Sequence, residues 1–95
     1  MPWTDEQKAK AIPRIIAACE GCIKAYEEQD FELFWTLSGL VAGGAENLET
    51  PWLKERGAEI MANSRTKDGR DERTLATVSD IRNFLVGVQP DALRS

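Results

Sequence analysis

The sequence contains no histidine. That removes the side chain that titrates near neutral pH, the Ser-His and Cys-His nucleophile pairs, and the commonest metal ligand. Cysteine is almost as scarce. Two residues, Cys19 and Cys22, cannot build a disulfide framework, and they suit a reducing compartment. Long apolar runs are also missing: no stretch approaches the ~18 continuous apolar residues of a membrane helix, and no basic run precedes an apolar core at the N-terminus. Neither a Gly-rich phosphate loop nor a Gly-x-Ser-x-Gly elbow occurs. These gaps predict a cytoplasmic chain with no membrane contact, no cofactor, no metal and no enzymatic activity.

What remains is 95 residues, 42% of them hydrophobic and 29% charged, with a net charge of −4. The length suits one domain over 1–95, with 1–4 and 91–95 as loose ends. Such a domain buries roughly 60–65% of its unfolded surface, so its core alone gives modest stability. The charge is uneven. Between Glu27 and Glu59, eight acids face Lys54 and Arg56, a balance of −6; between Arg65 and Arg73, four bases face three acids, a balance of +1.

Apolar spacing is helical almost throughout, and nothing alternates as a half-buried strand does. Thr4 and Gln7 have the form of a capping box, so a short first helix is expected near Asp5. Pro13, lacking an amide proton, predicts a kink or restart near Ile12. From there Ile12, Ile15, Ile16, Cys19, Cys22, Ile23 and Tyr26 share about 120° of arc, one buried face. Asp30 is the natural cap of a second helix, about Phe31 to Gly43. Phe31, Leu33, Phe34, Trp35, Leu37, Leu40, Val41 and Ala42 cover roughly 220° of that helix. The remaining arc holds Glu32, Thr36, Gly39 and Gly43.

Gly43-Gly44 weakens or ends this helix. Thr50-Pro51 starts a third, to about Asn63, with Leu53, Gly57, Ile60 and Met61 inward. Arg65 to Arg73 reads as a charged turn around Asp68-Gly69. A fourth helix spans about Thr74 to Val86, with Val78, Ile81, Phe84, Leu85 and Val88 on one face; Pro90 stops it. The fold class is therefore all-α: a small bundle of four main helices, plus a short N-terminal helix before Pro13, completed by homodimerisation.

Three motifs invite chemistry. Cys19-Glu20-Gly21-Cys22 offers two of the four ligands zinc needs, and it lies in the buried stripe of a helix, where Cys behaves as a small apolar residue. If Gly69 were position 6 of a calcium loop, positions 1, 3 and 12 would be Ser64, Thr66 and Leu75, which fails at both ends. Glu28 with Glu32, and Glu55 with Glu59, are i,i+4 carboxylates that read as solvent-facing acids.

The contact-bearing residues say more. Phe31, Phe34 and Trp35 crowd one short helix that also carries Gly39-x-x-x-Gly43, a spacing that lets another backbone come close. Trp52 is a further aromatic anchor, while Trp3 either covers the first helix or lies exposed. The sequence thus predicts a non-catalytic protein-interaction domain, an adaptor, regulator or small inhibitor. It would be homodimeric through helix 31–43 or bind a heterologous chain, using Phe31, Phe34, Trp35, Gly39, Gly43 and Trp52. The alternative is a nucleic-acid-binding regulator using the 65–73 turn and helix 74–86, with Arg65, Lys67, Arg70, Arg73 and Arg82 on phosphates or bases. The acidic middle weighs against a broad phosphate contact.

Overall fold

The computed structural model describes residues 3–64 and 72–94, with the side chains of 88–94 outside the described part. Four helices run in chain order: α1 (Asp5–Glu27), α2 (Phe31–Asn47), α3 (Pro51–Ser64) and α4 (Glu72–Arg94). No strand occurs among the described residues. The chain is a small all-α bundle, as the periodicity requires.

Local chemistry sets the ends. At the start of α1 the Thr4 amide donates to Gln7 Oε1 (2.8 Å) and the Gln7 amide donates to Thr4 Oγ1 (3.2 Å). This reciprocal pair satisfies two amides that a helix start otherwise leaves open. The other end of α1 closes with the Asp30 amide donating to the Ala25 carbonyl and the Gln29 amide to the Tyr26 carbonyl. Gln29 takes the left-handed conformation this closure needs, at φ 62°. Asp30 then caps α2, accepting from the Leu33 amide at 3.2 Å.

Several boundaries differ from the sequence expectation. There is no separate helix before Pro13; α1 continues through it. Pro13 is exposed, so the Ala9 carbonyl left without its usual helix partner lies toward water. Nor does Gly43-Gly44 end α2, which runs to Asn47, because Gly44 is buried against α1, and packing outweighs the weak propensity of glycine. α4 likewise extends past Pro90 to Arg94, where a stop and a loose tail were expected; one proline removes a single ladder bond.

α1 packs on α2 and α4, and α2 on α1 and α3, with a thinner seam between α3 and α4 and a smaller contact between α2 and α4. The enclosed core takes Ile12, Ile15, Ile16, Cys19 and Cys22 from α1 and Phe34, Val41, Ala42 and Ala45 from α2. It is completed by Leu53 and Ile60 from α3 with Val78, Ile81 and Leu85 from α4. Met61, expected inward, is exposed, as are Leu33 and Leu40 of the apolar arc of α2 and Phe84 of the α4 face, because the bundle covers these helices only on the sides that meet one another. Across the segment that joins α3 to α4, Asn63 Nδ2 donates to the hydroxyl of buried Thr74 at 3.0 Å.

Candidate interaction surface

The crowded aromatics of α2 turn inward. Phe34 is fully buried and meets Tyr26 edge-on at 5.1 Å and Trp35 at 5.2 Å; Phe31 meets Tyr26 at 5.7 Å. Such edge-to-face contacts add about 0.5–1.5 kcal/mol each beyond area burial. Phe34 is thus a core residue of its own chain and cannot serve a partner. Phe31 and Trp35 are half-buried in the same cluster. Trp52 is also engaged internally, stacked on Phe84 at 5.0 Å with the Arg56 guanidinium 5.5 Å from its ring.

The two glycines behave differently. A β-carbon added at Gly39 or at Gly43 would meet nothing within 4 Å. At 100° per residue, Gly39, Glu32, Gly43 and Thr36 fall within about 60° of arc, and all four are exposed. Alongside them, between α1 and α2, runs a groove of about 420 Å³ lined by Trp3, Ala11, Arg14, Ile15, Ala18, Gly39, Leu40, Gly43 and Gly44. Leu40 stands at its edge, 61% exposed, and Leu33, about two turns below, is 44% exposed. Trp3 is half-buried against the core and forms part of the groove.

Leu40, Arg14 and the α1 wall of this surface were not among the residues the sequence singled out. Leu40 sits at the rim of the apolar arc, beside the small-residue stripe. That adjacency was readable, but the side on which α1 would lie was not.

A second, larger groove of about 620 Å³ separates α1 from α4, lined by Glu20, Ile23, Lys24, Glu27, Ser79, Arg82 and Asn83. Its charges oppose one another, and Arg82 pairs with Glu20 at 3.3 Å while donating to Asn83 Oδ1 at 3.1 Å. Among the residues proposed for nucleic-acid contact, Arg82 is therefore tied to α1. Arg73 lies exposed in the first turn of α4. Arg65, Lys67 and Arg70 lie outside the described residues, as does the Asp68-Gly69 turn. Thr77 of α4 is buried, its hydroxyl donating to the Arg73 carbonyl at 2.9 Å.

The cysteines sit one turn apart on the inner face of α1, both free and 0% exposed. Burial, reinforced by Cys22 and Glu20 and opposed by Arg82, pushes the Cys19 thiol from its ordinary 9.0 up to about 12. Burial also raises Cys22, with the Ser38 hydrogen bond acting the other way. Cys22 Sγ donates to the Phe34 carbonyl at 3.4 Å and lies 3.2 Å from the Ser38 hydroxyl. A thiol held neutral and out of water is a poor nucleophile. Among the described residues, no three acidic or thiol side chains gather where they could hold a metal ion, and no helix is long and apolar enough to cross a membrane.

No protein-family model, no curated protein and no solved structure matches this chain.

Proposed function

We propose that this chain is a non-catalytic protein-interaction domain, an adaptor, regulator or small inhibitor, that works as a homodimer through the outward face of α2. One observation carries the reading. Beside a groove of about 420 Å³, α2 leaves Gly39 and Gly43 open and Leu40 61% exposed, although its other large apolar residues except Leu33 are wholly or partly buried within the chain. Covering a leucine side chain gains about 1.5–3 kcal/mol, and a helix without side chains at Gly39 and Gly43 lets a second backbone approach. At the small end, a specific interface takes about 600 Å² from each partner, roughly a tenth of this chain's 5939 Å² surface. Two adjacent helices can supply that area.

Gel filtration with light scattering tests the proposal on the wild type and on Gly43→Leu. The added side chain enters open space, so the variant keeps the helical circular dichroism of the wild type. The expected result is a dimer mass for the wild type and a monomer mass for the variant. A wild type that stays monomeric into the high micromolar range overturns the homodimer.

A further inference from the structure

We infer that the α1–α2 groove binds a small amphipathic mono-carboxylate, its carboxylate held by Arg14 and its apolar body laid along the floor. The site borders the face proposed for dimerisation but does not depend on it, because its charged end lies on α1.

The sign of the lining is the basis. The chain has a net charge of −4, yet no acidic residue lines the groove of about 420 Å³ or the smaller hollow of about 250 Å³ that adjoins it. The two share Trp3, Ala11 and Arg14, and the hollow adds Gln7 and Lys10. One end of this continuous depression is thus cationic in an acidic protein. The acids nearest that end are engaged elsewhere. Glu6 pairs with Lys10, Glu49 pairs with Lys8, and Glu46 rests its methylenes against Gly57 of α3, on the flank of α2 away from α1. Arg14 has no ion-pair partner among the described residues. Gln7 commits its amide oxygen to the Thr4 amide, which leaves its NH2 group as a further donor.

These groups select the head of the ligand. A guanidinium presents paired N–H donors that match a carboxylate in a two-pronged contact. With Lys10 already paired, one free positive charge suits a mono-anion better than a phosphate monoester, which carries about −2. The rest of the lining selects the body. Ala11, Ile15 and Ala18 of α1, and Leu40 of α2 with its three glycines, bear no side-chain donor or acceptor. Ala11 to Ala18 is seven residues, about 10 Å at 1.5 Å rise. A groove of about 420 Å³ falls within the range of about 300–1,000 Å³ usual for small-molecule sites. A medium-length apolar chain lies along it, and covering Leu40 and Trp3 supplies the gain from burial.

The test is a titration of the full chain with octanoate, and with 1-octanol as its uncharged match, followed by tryptophan emission. It is made at a chain concentration where light scattering gives a monomer mass, so a failed dimer and a failed ligand site are told apart. Octanoate should change the emission saturably. Trp3→Phe should lose that change, because Trp3 is the tryptophan of the groove. Arg14→Gln should weaken octanoate about ten-fold and leave octanol unaffected. Arg14 is exposed and Trp3 precedes α1, so both variants keep the circular dichroism of the wild type. No saturable change with octanoate, equal affinity in Arg14→Gln, or a change that persists in Trp3→Phe overturns the site.

Discussion

Ile15 lies so close over Gly44 that a β-carbon on that glycine would stand 2.7 Å from both Cγ1 and Cδ1 of the isoleucine. The two helices meet there without room for a methyl group. Ile15 is buried, and its branched side chain has one strongly preferred rotamer in a helix. Gly44→Ala must push α1 away from α2, and overpacking of this kind costs about 1–3 kcal/mol. The residue next to it should respond in the opposite sense. Gly43 faces open space, so Gly43→Ala gains about 0.8–1 kcal/mol of helix propensity in the isolated chain. Urea denaturation at a concentration where the chain is monomeric measures both. The expected order of midpoints is Gly43→Ala, wild type, Gly44→Ala.

Gln29 offers a cleaner case of backbone chemistry. It holds φ at 62° in the closing turn of α1, a conformation that costs a side-chain-bearing residue roughly 1–2 kcal/mol. Gln29 is exposed, and its side chain makes no hydrogen bond among the described residues that would offset that cost. Gln29→Gly relieves the strain and gives back part of the gain through the greater freedom of glycine in the unfolded chain. A net increase of about 0.5–1 kcal/mol is expected, read as a higher thermal midpoint with unchanged circular dichroism. A lower midpoint would show that the turn does not need the left-handed form.

The all-α bundle and most helix starts were legible because they rest on contacts between residues three or four apart. Thr4 with Gln7, Asp30, and Thr50-Pro51 each act on their own turn. The inner faces of α1 and α4 followed from spacing for the same reason. The contact surface was harder, because it depends on which helix lies on which side. Phe31, Phe34 and Trp35 looked like an excess of aromatic surface, yet the tight turn at Gln29 folds Tyr26 of α1 directly onto them. Spacing placed Leu40 on the apolar arc of α2 and Gly39 and Gly43 on its small-residue arc, but an angle alone does not say which part of either arc a neighbouring helix covers.

The seam between α3 and α4 is held in part by side chains that look superficial. Phe84 is 36% exposed, yet it stacks on Trp52 with an interplanar angle of 24°. An aromatic pair contributes about 0.5–1.5 kcal/mol beyond its buried area. Phe84→Ala should therefore cost about 1–2 kcal/mol, more than an ordinary surface change of up to about 0.5. Trp52→Ala should be no worse after Phe84 is removed than its own share predicts. A double-mutant cycle in urea gives the coupling, and a value near zero would mean the stack contributes only area.

The buried thiols predict how the fold responds to alkali. With the Cys19 pKa near 12 in the fold and 9.0 ordinarily, the fold keeps the neutral form and the unfolded chain loses its proton first. The resulting stabilisation is fully present below pH 9 and disappears as pH rises toward 12, at about 1.4 kcal/mol per pH unit. Cys22, also raised by burial, acts in the same direction. Unfolding midpoints should fall between pH 9 and 10.5, and Cys19→Ala should flatten that decline relative to its own value at pH 7. The same burial predicts that neither thiol reacts with a disulfide reagent at pH 8 until denaturant is added. Prompt labelling of one thiol in the native chain, or an identical alkaline slope in Cys19→Ala, would show that α1 does not keep this pair from water.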